Sequence, residues 1–225
     1  NLHVIFAVDR GGLVGEDGET HHGGFDVGFL SQAPNMKILC PSSTQELYAM
    51  LTWAVKEQNG PVAIRYPRGG EGNFTPAVQA FTGEIDLCRM GRKIAVVTYG
   101  TLVNNALEAA NDLVEDGIDL TVIRLPQIAP LPVAVLETAL QNYDYVVFLE
   151  ETCNGSGIYE RLATALKQSL PNCNFSNIDL GRNFVTHGSV KDLYRKHNLD
   201  AAGISAHLRA EQRHRWLDPG AKHQH

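Results

Sequence analysis

Val4-Ile5-Phe6-Ala7-Val8, an unbroken apolar run, passes directly into Asp9-Arg10-Gly11-Gly12-Leu13-Val14-Gly15-Glu16-Asp17-Gly18-Glu19-Thr20-His21-His22-Gly23-Gly24-Phe25-Asp26. Five apolar residues in a row, with no polar alternation, read as a strand buried on both faces, as in a parallel sheet. The loop that follows holds six glycines, two adjacent histidines, an arginine and several carboxylates. In parallel α/β sheets ligands bind beyond the C-terminal ends of the strands, where glycine lets the backbone approach a ligand closely. The pair therefore reads as the ligand-binding edge of an α/β sheet, with an ordinary surface loop as the alternative.

Outward from this loop, residues 37–40 form a second apolar strand and Pro41-Ser42 the turn after it. Ser43 is a helix N-cap with Glu46 three residues on, a capping-box spacing, and Leu47, Met50, Leu51, Ala54 and Val55 recur at helical period. Residues 62–66 give a third strand, stopped by Pro67 and followed by Gly69-Gly70-Glu71-Gly72, the best domain boundary in the chain. A buried strand at residues 4–8 calls for neighbours on both sides. Residues 1–80 are thus expected to be the second half of a parallel α/β domain whose first half comes from another segment.

Residues 91–225 alternate expected strands (94–99, 120–124, 145–150, 175–179) with helical patterns (104–115, 133–141, 158–169). Such a βαβ series implies a mainly parallel sheet with helices on both faces. Glu150-Glu151 falls at a strand end, where a solvated terminus explains it as well as a site does. This second unit shows no nucleophile pair or phosphate loop.

Composition excludes several classes of function. With 44% apolar and 20% charged residues the chain is neither disordered nor fibrous. A net charge of -6 without a basic tract argues against nucleic acid. No apolar run approaches the roughly 20 residues that span a bilayer, and the start lacks the features of a signal peptide, so the chain reads as cytoplasmic and off the membrane. Cys40, Cys88, Cys153 and Cys173 form no C-x-x-C pair and read as reduced thiols. The nine histidines show no metal-ligand spacing, so no metal site is expected in this chain.

The loop resembles the motif of 1-deoxy-D-xylulose-5-phosphate synthases, D-R-(small)-G-x-V-G-x-D-G-x-T-H-x-G-x-F-D, at every specified position. The resemblance continues through Pro34-Asn35-Met36, Cys40-Pro41-Ser42, residues 60–69, His187-Gly188-Ser189-Val190 and residues 199–204, and so spans nearly the whole chain. Transketolases and the β components of 2-oxo-acid dehydrogenases are the in-class alternatives, and a non-catalytic α/β dimerisation module is the alternative outside it. Asp9-Arg10 and Gly24-Phe25-Asp26 favour the synthase. Two segments depart from the pattern: Asn154-Gly155-Ser156-Gly157 is a shortened glycine-rich turn, and Gly181-Arg182-Asn183 replaces a stretch that usually contains proline.

The resemblance implies a fold, a second half of a parallel-sheet pyrimidine-binding domain followed by a transketolase C-terminal-type α/β domain. It implies a reaction, in which pyruvate and glyceraldehyde 3-phosphate give 1-deoxy-D-xylulose 5-phosphate and CO₂, the first step of non-mevalonate isoprenoid synthesis. It further implies thiamine diphosphate and Mg²⁺, both held mainly by an N-terminal portion of the same enzyme, and a homodimer formed in part by the second unit. This chain would be an incomplete part of that enzyme, inactive alone. Arg10 and Arg68 match family positions that grip the acceptor phosphate through charge-assisted hydrogen bonds; a structural ion pair is the alternative for Arg68. His21 matches a catalytic position and can manage a proton near neutral pH. His22 occupies a variable position and is left out of the site. Asp17, four residues before His21, can orient it, accept a hydrogen bond from the loop backbone, or serve only to form a turn.

Overall fold

The computed structural model describes residues 1–76, 81–83 and 85–217. Strand β1 (Ile5–Val8) leads into the glycine-rich loop, which ends in the short helix α1 (Asp26–Leu30). Next come β2 (Lys37–Leu39), α2 (Thr44–Glu57) and β3 (Val62–Arg65). β1 and β2 both pair in parallel with β3, in register Ile5 with Val62 and Lys37 with Val62. The order puts β1 at the sheet edge with Phe6 and Ala7 exposed, not buried as the apolar run implied. In this structure its one strand neighbour among the described residues is β3.

The helix α2 starts where the sequence places it. The Ser43 hydroxyl accepts the Glu46 backbone N–H at 3.2 Å, satisfying one donor that a helix leaves open in its first turn. The reciprocal half of the capping box is rerouted. The Glu46 carboxylate instead accepts the Ser42 N–H at 2.7 Å and the Arg124 guanidinium at 2.6 Å.

The second unit contains β4 (Asp86–Arg89), β5 (Ile94–Thr98), α3 (Val103–Asp112), β6 (Leu120–Arg124), β7 (Gln127–Ala129), α4 (Val133–Leu140), β8 (Tyr145–Leu149), α5 (Tyr159–Ser169), β9 (Asn174–Ile178), α6 (Val190–Lys196) and α7 (Ala201–Leu217). Its sheet runs β4-β6-β5-β8-β9, parallel except for the antiparallel edge strand β4. The strand runs 94–99, 120–124, 145–150 and 175–179 match β5, β6, β8 and β9 within a residue. The helix expected at 104–115 is α3 followed by a tighter turn, Leu113–Asp116, closed by left-handed Gly117.

Two findings modify the two-unit picture. First, β7 leaves the second unit and adds antiparallel to β2, completing the first sheet in the order β1-β3-β2-β7. Second, Met36, Ile38, Cys40 and Ala63 share one buried cluster with Ala95, Val97, Ile123 and Phe148. Residues 69–72 lie in neither a helix nor a strand, and one apolar cluster is shared by residues on both sides of them. Burial of such a seam is the main favourable term in docking the two sheets. A separate cluster lies between the second sheet and α3 and α7, from Val96, Val122 and Val147 to Ala106, Ala109 and Ile204.

The two segments that depart from the resembled pattern meet each other. Asn154 donates its backbone N–H to Gly181 O at 2.9 Å, and Arg182 Nε donates to Asn154 Oδ1 at 3.1 Å. Cys40, Cys153 and Cys173 are buried and Cys88 is half-buried. Burial pushes the Cys40 thiol up to about 12 and Cys88 up to about 11, so neither is a ready nucleophile. No described helix is long and apolar enough to cross a membrane.

Candidate active site

The loop after β1 closes on itself. Gly11 N–H donates to Tyr66 O at 2.9 Å, tying the loop to the end of β3, and Gly23 N–H donates to Gly12 O at 2.7 Å. Glycine is required at two of these points for spatial reasons. A Cβ on Gly23 would sit 2.4 Å from Arg10 O, and Gly12, at φ +83°, has no room for one beside the Glu151 carboxylate. Within the closed loop, Gly15–Asp17 makes a 3₁₀ turn.

That turn brings together three of the four residues singled out by sequence. Arg10 Nε donates to Asp17 Oδ2 at 3.3 Å, and Arg68, beyond the end of β3, pairs with the same oxygen. The hydrogen bond from Arg68 is the leading cause that lowers the Asp17 pKa below its ordinary value; desolvation, next in size, opposes it, and the hydrogen bond from Arg10 adds to the lowering. Arg10 and Arg68 remain about half-exposed, and Arg10 holds a left-handed φ of 63°, uncommon for a non-glycine residue. Held strain of this kind is typical of functional loops.

His21 stands apart from this cluster. Its backbone N–H donates to Gly18 O, and ring Nδ1 lies 3.1 Å from the Thr20 hydroxyl on an exposed face. The expectation that Asp17 orients His21 is not met in this structure, because the hydrogen bonds of its carboxylate go to the two arginines. Neighbouring His22 is the bridging ring. Its Nδ1 accepts the Val14 N–H at 3.1 Å, which leaves Nε2 to donate to Thr186 O at 3.4 Å.

Beneath the loop lies a buried polar layer that sequence reasoning missed. Arg65, 5% exposed at the end of β3, donates from Nε to Asp26 Oδ2 at 2.8 Å, and from its terminal nitrogen to Gly23 O and the Glu151 carbonyl. Burial works against its charge, and Asp26 leads the groups that outweigh it and raise its pKa. Tyr99, under the Arg65 guanidinium, donates to Glu150 Oε2 at 2.9 Å. Glu150 also accepts the Ile158 and Tyr159 N–H groups at the start of α5.

Glu150 and Glu151 are 2% and 5% exposed, so the reading of this pair as a solvated strand end is corrected. Burial raises both carboxyl pKa values, partly offset by their hydrogen bonds and, for Glu151, by Arg65. One signal in the sequence pointed here: an arginine closing the apolar run Val62-Ala63-Ile64 must be paired if it is buried. Its partner Asp26, on a different element, could not be read from spacing.

Known proteins resemble this chain over most of its length. Residues 83–204 match the family described as the transketolase C-terminal domain, and residues 1–70 match the transketolase pyrimidine binding domain. The chain is 40% identical over 213 residues to a 1-deoxy-D-xylulose-5-phosphate synthase of Chlorobium luteolum, covering 93% of this chain and 34% of that protein. It is 40% identical to the enzyme of that name from Chlorobaculum tepidum, over 92% of this chain and 33% of that protein. For the Clostridium acetobutylicum protein of that name, the identity is 36%, over 90% and 33%. The chain thus spans about a third of the length of these relatives. Among solved structures, a split gene transketolase, described as an inactive β4 tetramer, superposes with a TM-score of 0.74 at 23% identity, covering 92% of this chain and 65% of that one. At that identity the likeness speaks for the fold alone. With the C-terminal domain match covering more than half of its residues, the chain belongs to the transketolase family.

Proposed function

We propose that this chain is the acceptor-binding part of a 1-deoxy-D-xylulose-5-phosphate synthase, which condenses pyruvate with glyceraldehyde 3-phosphate and releases CO₂. The observation that carries the reading is the convergence of Arg10 and Arg68 on one anionic oxygen, Asp17 Oδ2. Two half-exposed guanidinium groups aimed at one point suit a phosphate dianion, which takes paired charge-assisted hydrogen bonds. In this reading they hold the acceptor phosphate, with Asp17 keeping them converged until it arrives. His21 sits on the same loop and supplies a proton to the acceptor carbonyl oxygen as the new carbon–carbon bond forms.

The enzyme's cofactor would be thiamine diphosphate, which acts as the electron sink when bound. Among the described residues, none form a set that fits its diphosphate and Mg²⁺. The acidic stretch Glu16-Asp17-Gly18 offers a carboxylate already held by two arginines. Both groups are therefore assigned to an N-terminal portion of the same enzyme. Supporting that assignment, β1 at the sheet edge carries exposed Phe6, and α2 presents Tyr48, Leu51 and Val55 to solvent along one face.

Residues 1–80 are then the C-terminal part of the pyrimidine-binding domain and 91–225 the domain that helps form a homodimer in the cytoplasm. The deciding experiment is an assay of the full-length enzyme with glyceraldehyde 3-phosphate and either pyruvate or a ketose phosphate as donor. Turnover with pyruvate and CO₂ release supports the synthase; turnover confined to the ketose phosphate makes it a transketolase.

A further inference from the structure

The loop that presents Arg10 and Asp17 is held from below by the second unit, and the contact is built around one side chain. Glu151, at the C-terminal end of β8, reaches out of its own domain, and its Oε1 accepts the Leu13 N–H at 3.2 Å. Its carboxyl atoms come within 2.7–2.8 Å of where a Cβ on Gly12 would lie, so the carboxylate fills the space that Gly12 leaves open. Tyr194 of α6 interacts with this carboxylate and partly offsets the rise that burial gives its pKa. The Glu151 carbonyl accepts from Arg65, which also hydrogen-bonds to Asp26 and Gly23 at the far end of the same loop. Cys153 N–H adds a bond to Gly24 O at 2.7 Å.

The two consecutive glutamates thus divide between the units. Glu150 spends its oxygens inside its own domain, on Tyr99 and the start of α5, whereas Glu151 spends one on the neighbouring loop. Gly12 lies two residues after Arg10, and Leu13 two residues before the turn that carries Asp17. A shift of the Gly12–Leu13 peptide therefore moves both sides of the Arg10–Asp17 contact. An apolar side chain at position 151 would leave the buried Leu13 N–H without its acceptor.

We propose that Glu151 is a positioning residue: from the second unit it sets the Gly12–Leu13 peptide and, through it, the spacing of Arg10 and Asp17, so that the acceptor site takes shape only where the two units dock. The proposal rests on the acceptor-site reading above. It adds to that reading a residue more than a hundred positions away that touches no substrate.

The test uses two variants of the full-length enzyme. Glu151→Asp keeps the charge but withdraws the oxygens by about one carbon–carbon bond, ~1.5 Å. Glu151→Gln keeps the length and one acceptor oxygen but removes the charge. Amide hydrogen exchange is followed over residues 11–24 and over β5 and β8, and KM is measured for pyruvate, glyceraldehyde 3-phosphate and phosphate-free glyceraldehyde.

In Glu151→Asp, exchange over 11–14 should rise about tenfold with β5 and β8 unchanged, and KM for glyceraldehyde 3-phosphate should rise about tenfold with pyruvate KM within about twofold. Glu151→Gln should restore most of both. Unchanged exchange at 11–14 in Glu151→Asp overturns the proposal, as does acceleration spread equally over both sheets. Equal defects in the two variants also overturn it, since charge rather than acceptor position would then matter. If the wild type proves to be no synthase while the exchange pattern appears, the proposed reaction falls and the positioning of the loop stands.

Discussion

The Arg65 guanidinium donates to the Asp26 carboxylate at 2.8 Å, and both side chains are almost fully buried under the glycine-rich loop. One residue ends β3 and the other begins α1, so the pair pins the loop's exit to the sheet. Breaking a buried pair by removing one partner strands a charge. Each of Asp26→Asn and Arg65→Met should therefore lower stability by about 3 kcal/mol in urea denaturation. The combination Asp26→Leu with Arg65→Met should cost less than the sum of its single changes, because no charge is left behind. Single losses below about 1 kcal/mol would mean that the pair is not holding the loop.

His21 and His22, adjacent in sequence, should separate in function. His21→Ala in the full-length enzyme should lower kcat about a hundredfold with little effect on cofactor affinity, as expected for general acid–base work. His22→Gln keeps one acceptor and one donor for Val14 and Thr186 and should stay within about threefold of wild type, whereas His22→Ala should loosen the loop and cost more. Steady-state kinetics of the three variants checks this. Equal, large losses in His21→Ala and His22→Gln would show that loop folding, not a particular imidazole, explains the effect.

His207 on α7 gives a signed pH dependence. Its Nε2 lies 3.2 Å from the Tyr145 hydroxyl and 3.3 Å from that of Ser176, and burial lowers its pKa below 6.5, with Glu211 opposing. In the window between the folded and unfolded pKa values the unfolded chain binds the extra proton, so stability falls as pH drops below about 6.5. His197, also lowered by burial, acts with the same sign. Denaturation midpoints from pH 7.5 to 5 should fall less steeply in His207→Gln than in wild type. Parallel slopes would contradict the assignment.

How much of this was legible in the sequence differs from element to element. The strands β5, β6 and β8 were readable because largely apolar runs and intervening helical periods leave few alternatives, whereas β9, with the polar sequence Asn174-Phe175-Ser176-Asn177-Ile178, was legible from its place in the alternation of strands and helices. β7 was not, since three residues carry no period and its place beside β2 is decided by tertiary packing. The Arg10, Asp17 and Arg68 cluster was readable residue by residue through the motif, but its internal pairing was not: Asp17 faces the arginines rather than His21. The buried layer of Arg65, Asp26, Tyr99, Glu150 and Glu151 was missed because charged residues at strand ends look solvated until the neighbouring domain covers them.

The central claim is that Arg10 and Arg68 hold the acceptor phosphate, and it is tested most directly by kcat/KM of Arg10→Ala and Arg68→Ala in the full-length enzyme with two acceptors. With glyceraldehyde 3-phosphate each change should cost roughly tenfold to a hundredfold, as expected for a charge-assisted hydrogen bond of about 1.5–3 kcal/mol. With phosphate-free glyceraldehyde, wild type and variants should turn over at similar, uniformly poor rates, and pyruvate KM should barely move. A loss as large with the phosphate-free aldehyde as with the natural acceptor would contradict the account, because the arginines would then be holding the Asp17 loop together and not the substrate.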